Sequence, residues 1–574
     1  MRFLILRFLF FIGLATLGVS LFRVQVIKGP YYRSLGEKNR IRLIPLEAPR
    51  GRVFDRNGRL MATNRPSYDI VATPEDVTPE VFGYLSNILN LSEQEIRNRM
   101  SARREYPFAP AVIEEDVGRT LAFHIEERRP ELQGVRIRIS SLRHYPYAET
   151  ASHIIGFIGK ISPAEYDKYD GQRDRYGLQS WIGRAGIERI YDMRLRGWRG
   201  GRQLEVNAKG ELMSVLSERK AEVGEDLSLS IDLEFQTRMM ELLKDKHASL
   251  MVLDLESEEF VALASTPSFN PNVFVTPGQG KERMEFLRDK NAPLIDRGVS
   301  SAYPPGSVFK LVTAIAGLEK GTITPDSHFN CPGYFQLKPG GRKYHCWYKS
   351  GHGSLNLYEA IERSCNVYFY NLAKRVTADD IARYARELGL GEALQVEMTN
   401  IAPGLVPDSA WKKNKYNEKW YQGETLSFGI GQTYLLTSPI QILRLTATIA
   451  KGGKFVEPTL LHNHPEKARS KERVAIREEN LKVIRRAMLN VVQSDYGTGQ
   501  LARVDFEKMA AKTGTAQVPP KTAHSWITGF FPYAKPEIAF VVFVEHGGSG
   551  GVVAAGIAKE MLDIWRAMYV PTVG

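Results

Sequence analysis

The stretch that decides the fold and the chemistry reads Tyr303-Pro304-Pro305-Gly306-Ser307-Val308-Phe309-Lys310-Leu311-Val312-Thr313-Ala314. Two prolines and a glycine end any preceding element, and a helical run follows from Val308 to Lys320, closed by Gly321. The spacing predicts that Ser307 and Lys310 share one face of the first helical turn, within side-chain reach of each other. A lysine whose pKa is lowered by burial can accept the proton of a serine hydroxyl. This pair is therefore a candidate nucleophile and base.

Two further motifs give the pair a context. Ser364-Cys365-Asn366 follows it, and Lys512-Thr513-Gly514-Thr515 stands near the end of the chain, just before a strand pattern. An isolated S-x-x-K recurs by chance in long chains and would indicate only a surface serine at a helix start. S-x-x-K, S-x-N and K-T-G in this order resemble the signature of penicillin-binding proteins and serine β-lactamases.

The resemblance implies a role for each motif residue. Ser307, Lys310, Ser364 and Asn366 are the expected catalytic residues, as nucleophile, base, proton relay and orienting amide. The expected substrate-binding residues are Lys512, Thr513, Gly514 and Thr515. Backbone N–H groups of Ser307 and Thr515 are expected to form the oxyanion hole.

The composition is that of an ordinary globular protein with a basic surface. The chain has 574 residues, of which 43% are hydrophobic and 25% charged, so it can hold several domains. A net charge of +12 favours an anionic neighbour, such as a membrane surface or a carboxylate-rich polymer. No nucleic-acid-binding motif is recognisable, and no nucleic-acid partner is expected.

The N-terminus predicts a membrane anchor over residues 1–27. Phe8 to Phe22 is free of charge, and Phe3 to Phe22 contains only Arg7, so the segment can span a bilayer. A cleaved signal peptide is the alternative, but no clear A-x-A site follows the apolar run. Basic residues stand on both sides, so charge does not decide the orientation.

Residues 28–225 are predicted to form an α+β pedestal with an inserted lobe at about residues 65–150. Asn57-Gly58 indicates a hairpin turn. The stretch from Ala48 to Ala62 resembles the segment that opens the extracytoplasmic part of class B penicillin-binding proteins. Glu188, in Gly183-x-x-Gly186-x-Glu188, is expected to support the join between lobes.

Residues 226–574 are predicted to form the transpeptidase domain. Asp226 to Asp232 alternates as a strand, Ser249–Leu255 and Phe260–Ala264 indicate a hairpin, and Ile538–Glu545 is an apolar strand. Strands from both ends of the domain flank a helical middle. The resemblance implies the penicillin-recognising α/β fold, with a five-stranded antiparallel sheet between helices, in an α+β multidomain chain.

The three cysteines and one histidine form a possible metal site. Cys331, Cys346, His352 and Cys365 are spaced C-x14-C-x5-H-x12-C. Three thiolates and an imidazole suit tetrahedral structural zinc. The alternatives are a Cys331–Cys346 disulfide with Cys365 as a free thiol, or unconnected cysteines beside a hydrogen-bonded histidine. The chain resembles the class B penicillin-binding proteins that act in cell elongation. Members of this branch can carry zinc at these positions, so the resemblance favours Zn2+.

The resemblance covers nearly the whole chain and points to class B penicillin-binding proteins of the elongation branch. It implies a D,D-transpeptidase that cross-links the peptidoglycan stem peptides of lipid II polymer. It also implies that β-lactams acylate this enzyme. Implied partners are a RodA-type SEDS glycosyltransferase and an MreC-type scaffold, at the inner membrane, with the catalytic domain in the periplasm. A membrane-bound β-lactam sensor and a serine β-lactamase are the alternatives, although no deacylating base is identifiable for the latter.

Overall fold

The computed structural model of the chain describes residues 2–32, 41–74, 76–102, 110–169, 172, 175–177, 180–206, 212–463 and 473–570. It begins with helix α1 (Arg2–Phe22), which continues as a wider turn to Ile27. Within the described ranges, Phe3–Ile27 is the one helical segment long and apolar enough to cross a membrane, and none of it is buried in the protein. Apolar side chains without protein contacts favour a bilayer environment, which fits the predicted single-pass anchor.

Two sheets and a further pair of strands build the pedestal. Its strands are β1 (Ile41–Leu46), β2 (Val53–Phe54), β3 (Leu60–Ala72), β4 (Ala111–Glu114), β5 (Val135–His144), β6 (Ile158–Lys160), β7 (Trp181–Gly183), β8 (Gly200–Val206) and β9 (Leu212–Arg219). Strands β1, β8 and β9 form one sheet, β2 to β5 belong to another, and β6 pairs with β7. Gly58 adopts a φ of +79° between β2 and β3, which confirms the Asn57-Gly58 hairpin.

The predicted lobe has a hydrophobic core of its own. The pedestal helices are α2 (Pro79–Leu89), α3 (Glu93–Ala102), α4 (Arg119–Glu127), α5 (Ser152–Ile155), α6 (Pro163–Tyr166), α7 (Gly186–Ile190) and α8 (Asp192–Leu195). Helices α2, α3 and α4 pack on strands β3 to β5 around Ile70, Leu85, Ile113 and Ile125. This cluster is separate from the core of the rest of the chain.

Glu188 lies at the join of the pedestal segments, as expected. Its side chain is fully buried and accepts hydrogen bonds from Arg50 Nε at 2.5 Å and Arg143 Nε at 2.6 Å. The hydroxyl of Tyr145 donates to the same carboxylate at 3.4 Å. Because a buried charge is costly unless it is paired, this carboxylate holds three chain segments together.

The C-terminal domain contains the predicted five-stranded antiparallel sheet. The remaining strands are β10 (Leu227–Ser228), β11 (Ala248–Asp254), β12 (Phe260–Thr266), β13 (Phe329–Cys331), β14 (Tyr334–Gln336), β15 (Lys343–His345), β16 (Gly353–Leu355), β17 (Ala510–Val518), β18 (Lys521–Phe531) and β19 (Ile538–Val544). The order in the large sheet is β12-β11-β19-β18-β17, so β17, which carries the K-T-G motif, is an edge strand.

The predicted strand from Asp226 to Asp232 is wrong in extent. Only Leu227–Ser228 is a strand, and it pairs in parallel with Val53–Phe54 of the pedestal sheet. Asp232 instead caps the next helix, because its carboxylate accepts from the N–H groups of Glu234 and Phe235.

Helices cover both faces of the large sheet. The helices of this part of the chain are α9 (Leu233–Leu242), α10 (Asn272–Val275), α11 (Gly280–Arg288), α12 (Lys310–Glu319), α13 (Leu357–Glu362), α14 (Asn366–Arg375), α15 (Ala378–Glu387), α16 (Ser409–Tyr416), α17 (Gln422–Phe428), α18 (Pro439–Ala450), α19 (Glu478–Gln493) and α20 (Ala555–Tyr569), and those that contact the sheet include α9, α18, α19 and α20. Along β11, Leu250 faces the core that contains Trp565 of α20, and Met251 faces the core that contains α12. Helix α12 is buried from Lys310 to Leu318, so Lys310, the lysine of the S-x-x-K motif, lies inside the domain.

Candidate active site

The nucleophile candidate lies in a tight turn that packs against strand β17. Residues Gly306–Phe309 form a single 3-10 turn that runs directly into α12. Gly306 has a φ of +55° and donates from its N–H to the carbonyl of Gly431 at 3.0 Å. A Cβ atom at Gly306 would lie 3.1 Å from Thr515 O. Glycine is needed there because the backbone of the turn approaches the edge strand so closely.

The side chain of Lys310 is completely buried and held by the S-x-N motif. Its Nζ donates to Ser364 O at 2.7 Å, to Ser364 Oγ at 3.2 Å and to Asn366 Oδ1 at 2.7 Å. Burial lowers the pKa of Lys310 to about 8. A substantial fraction of this amine is therefore neutral near physiological pH, as a general base requires.

Lys512 approaches the same hydroxyl from the edge strand. Its Nζ donates to Ser364 Oγ at 3.0 Å and to Thr513 O at 2.9 Å. Burial, with the nearby charge of Lys310, lowers the pKa of Lys512 well below its usual value. Ser364 Oγ thus lies between two buried amines, a position suited to passing a proton. Ser364 adopts a φ of +51°, a strained conformation of the kind found at functional sites.

The structure brings the three motifs into one site. Lys310, Ser364, Asn366 and Lys512 form a continuous hydrogen-bonded cluster, and the turn of Ser307 packs on the strand that carries Lys512. Among the described residues, the amine of Lys310 bonds to the S-x-N motif and not to Ser307. Catalytic hydrogen bonds are often long without substrate and tighten in the reactive complex.

The K-T-G residues present two hydroxyls beside this cluster. Thr513 is buried, and its Oγ1 lies 2.7 Å from Thr498 Oγ1. Thr515 is exposed, and its Oγ1 accepts the N–H of Gly550 at 3.1 Å. A Cβ on Gly514 would lie 2.9 Å from Pro305 O, so the motif glycine permits the close packing of strand and turn.

Sequence reasoning missed Thr498. It belongs to a loop, Ser494–Gly499, that follows α19 and reaches the site only through the fold. The sole local signal is a polar residue between Gly497 and Gly499, a pattern common in loops without catalytic function.

The four predicted metal ligands also converge. Their ligand atoms lie within 4.8 Å of one another, with His352 Nδ1 at 3.6 Å from Cys331 Sγ and 3.5 Å from Cys346 Sγ. In a tetrahedral zinc site, bond lengths of about 2.3 Å to sulfur and about 2.0 Å to nitrogen separate these atoms by about 3.5 Å. The three thiols are not joined by disulfides in this structure. The donor set therefore fits zinc in type and in spacing.

The thiols of the cluster share their protons. Hydrogen bonding with Cys365 lowers the pKa of Cys346 to about 3 and that of Cys331 to about 6, and hydrogen bonding with these two thiols raises the pKa of Cys365. The thiolate is the form that binds metals. Cys365 also starts helix α14, where its Sγ accepts the N–H of Tyr368 at 3.5 Å.

Fold and site together define a serine acyltransferase with one buried lysine at the start of the helix that follows the serine and a second buried lysine on a sheet edge. Comparison with known proteins agrees. The family model "Penicillin binding protein transpeptidase domain" matches residues 248–563, and "Penicillin-binding Protein dimerisation domain" matches residues 45–229.

The similarity extends over most of the length of individual relatives. The peptidoglycan D,D-transpeptidase MrdA of Acinetobacter baumannii is 32% identical, over 94% of this chain and 84% of that protein. The structure of Helicobacter pylori PBP2 in complex with MreC superposes with a TM-score of 0.84, at 27% identity, over 92% of this chain and 99% of that one. A protein in a peptidoglycan synthase complex that coordinates polymerization and crosslinking matches with a TM-score of 0.74, at 30% identity, over 100% of both chains. The chain belongs to the class B penicillin-binding proteins, in the PBP2 (MrdA) branch of peptidoglycan D,D-transpeptidases.

Proposed function

We propose that this transpeptidase cross-links stem peptides during cell elongation through an acyl-enzyme on Ser307. The observation that carries the proposal is the position of Ser364 Oγ, at 3.2 Å from Lys310 Nζ and 3.0 Å from Lys512 Nζ. One hydroxyl between two buried amines connects the base beside the nucleophile to the strand that would bind substrate.

Each step uses a group at this site. Ser307 Oγ attacks the carbonyl of the penultimate D-Ala while Lys310 accepts its proton. The bond to the terminal D-Ala breaks, and the departing nitrogen receives a proton through Ser364. An amine of a second stem peptide then attacks the ester, forms the cross-link and frees Ser307. Water in place of that amine would give carboxypeptidase activity.

Strand β17 is suited to binding the acyl donor. It is an edge strand, so an extended peptide can add to it by backbone hydrogen bonds. Lys512 and the hydroxyls of Thr513 and Thr515 would hold the terminal carboxylate. The N–H groups of Ser307 and Thr515 would bind the oxyanion, each contributing about 3 kcal/mol.

Labelling with a fluorescent penicillin tests the nucleophile. We expect the wild-type chain to be labelled and the label to map to the peptide that contains Ser307. Ser307→Ala should lose the label, whereas Ser257→Ala, at an exposed turn between β11 and β12, should keep it. An intact label on Ser307→Ala would refute the assignment.

The same labelled protein distinguishes a transpeptidase from the two alternatives, a serine β-lactamase and a membrane-bound β-lactam sensor. A serine β-lactamase would release the hydrolysed drug rapidly, because it contains a deacylating base. A β-lactam sensor would bind the drug but would not cross-link lipid II polymer. We expect slow release and cross-linking activity.

We also propose that Cys331, Cys346, His352 and Cys365 bind a structural Zn2+. Four protein ligands close the coordination shell, so the ion would supply stability and no chemistry. Cys365 lies between Ser364 and Asn366, both of which hold Lys310. The metal would therefore fix the S-x-N motif to the hairpin strands that carry the other ligands.

Metal analysis tests the zinc proposal. We expect about one Zn2+ per chain in the purified protein. Cys346→Ser should lose it and unfold at a lower temperature, whereas Ser354→Ala, on the neighbouring strand β16, should retain it. A metal-free wild-type protein with a Cys331–Cys346 disulfide would contradict the proposal.

The partners and the location of the catalytic domain complete the proposed role. Similarity to PBP2 bound to MreC supports an MreC-type scaffold on the membrane-proximal lobe. Similarity to a synthase complex that couples polymerization to crosslinking supports a RodA-type glycosyltransferase, engaged through α1 and the pedestal. Peptidoglycan lies outside the inner membrane, so the catalytic domain belongs in the periplasm. Co-purification of the full chain with each partner, with and without α1, tests these contacts.

A further inference from the structure

Thr498 lies beside the proposed carboxylate site without a role in the steps above. Its Oγ1 is 2.7 Å from Thr513 Oγ1 and 3.4 Å from the carbonyl oxygen of Glu362. The N–H of Thr498 donates to the same carbonyl at 3.2 Å. Thr498 therefore connects strand β17 to the end of helix α13, two residues before Ser364.

The two threonine hydroxyls carry one proton each, and this limits which of them can donate to the other. A threonine hydroxyl donates one hydrogen bond and accepts up to two. The Glu362 carbonyl already accepts the N–H of Thr498, and the hydroxyl at 3.4 Å is a weak second donor. The contact to Thr513 is shorter, so the Thr498 hydroxyl makes its stronger hydrogen bond by donating to Thr513. Thr513 then keeps its own proton for another acceptor.

The loop that carries Thr498 is held in place from several sides. Ser494 Oγ donates to the Glu362 carboxylate at 2.8 Å, and the N–H of Gly499 donates to Val491 O at 2.9 Å. A Cβ on Gly551 would lie 2.4 Å from the Thr498 carbonyl oxygen. Thr498 is thus presented to Thr513 by a constrained backbone.

We propose that Thr498 is a positioning residue that donates to Thr513 and so directs the Thr513 hydroxyl toward the terminal carboxylate of the acyl donor. The inference rests on the proposed function, since it assigns a determinant of donor choice to the same site. Thr498 would thereby strengthen the contact between the Thr513 hydroxyl and that carboxylate.

Paired donors that differ only in the carboxylate test the proposal. Benzylpenicillin carries the carboxylate and its methyl ester does not, and the rate of Ser307 acylation is measured with both. We expect Thr498→Val to slow acylation by benzylpenicillin about tenfold, because a hydrogen bond to a charged ligand is lost. The rate of acylation by the methyl ester should change less than about twofold. Thr498→Ser, which keeps the hydroxyl, should restore the preference.

A double-mutant cycle separates positioning from a general structural role. Thr513→Val should remove most of the preference, and Thr498→Val on that background should change it no further. An equal loss with both donors, or additive effects of the two substitutions, would overturn the inference. If Thr498→Val does not fold, Thr498→Ala replaces it in the cycle. Failure of the wild type to react with either donor would instead refute the proposed function itself, and this inference with it.

Discussion

Replacing Asn366 with aspartate tests whether Lys310 controls the pH dependence of acylation. The two side chains have the same shape, and Asn366 Oδ1 accepts from Lys310 Nζ at 2.7 Å. The substitution therefore adds one negative charge at hydrogen-bonding distance from a fully buried amine. An opposite charge this close raises the pKa of a lysine by roughly 1–3 units.

The expected direction follows from the form of the amine that reacts. Lys310 must be neutral to accept the proton of Ser307, so the acylation rate rises as pH rises through its pKa, about 8 in the wild type. In Asn366→Asp the rise should occur about one unit higher or more. At about pH 7 the rate then falls roughly tenfold or more, whereas the limiting rate at high pH is retained. The lysine and the new carboxylate titrate as a coupled pair, and the measured midpoint belongs to that pair.

The assay is the second-order rate constant for fluorescent penicillin, measured between about pH 6 and pH 10. Asn366→Ala is the matched control, because it removes the hydrogen bond without adding charge. It should slow acylation at every pH and leave the midpoint where it was or slightly lower. An unchanged midpoint in Asn366→Asp would show that a group other than Lys310 accepts the proton.

Three further predictions concern the pedestal and its contact with the catalytic domain. Glu188→Gln should lower the free energy of unfolding by about 3–5 kcal/mol in urea titrations, because the buried Arg143 loses its counter-charge and the buried Arg50 keeps only Asp192. Burial raises the pKa of Glu188, but Arg143 and Arg50 outweigh it and the net pKa is lowered. The stability from this ion pair is therefore present above the unfolded pKa near 4.5 and declines as pH falls below it, and Glu188→Gln should reduce that acid dependence. A variant as stable as the wild type would contradict both predictions. Asn272 exchanges two hydrogen bonds with the backbone of Tyr145, at 3.0 and 2.9 Å, so Asn272→Ala should cost about 1–3 kcal/mol. Asn291→Ala, in an exposed turn, should cost little, and equal losses in the two variants would count against the contact.

Features encoded by short stretches of sequence were predictable. The Ser307–Lys310 turn and the Asn57-Gly58 hairpin each depend on residues within a few positions of one another. The convergence of Cys331, Cys346, His352 and Cys365 was predictable from residue type and spacing, although spacing alone did not separate zinc from a disulfide. The geometry that brings the ligand atoms together comes from the β13–β16 and β14–β15 pairs.

Features that depend on distant partners were not predictable. Asp226 to Asp232 alternates like a strand, yet its pairing was decided by the pedestal strand Val53–Phe54 and by the capping role of Asp232. Thr498 carries no signal of its own, because its role arises from contacts with Glu362 and Thr513 in other parts of the chain.

The contacts place Ser364, and not Ser307, at the centre of the site. Ser307 is positioned by the backbone of its own turn, whereas the amines of Lys310 and Lys512 both bond to Ser364. The strained φ of Ser364 places its carbonyl oxygen and its hydroxyl on the same lysine. That conformation is constrained on the following side by Cys365, which caps helix α14 and belongs to the cluster of Cys331, Cys346, His352 and Cys365. Loss of the proposed zinc should therefore lower the acylation rate by displacing Ser364 and Asn366.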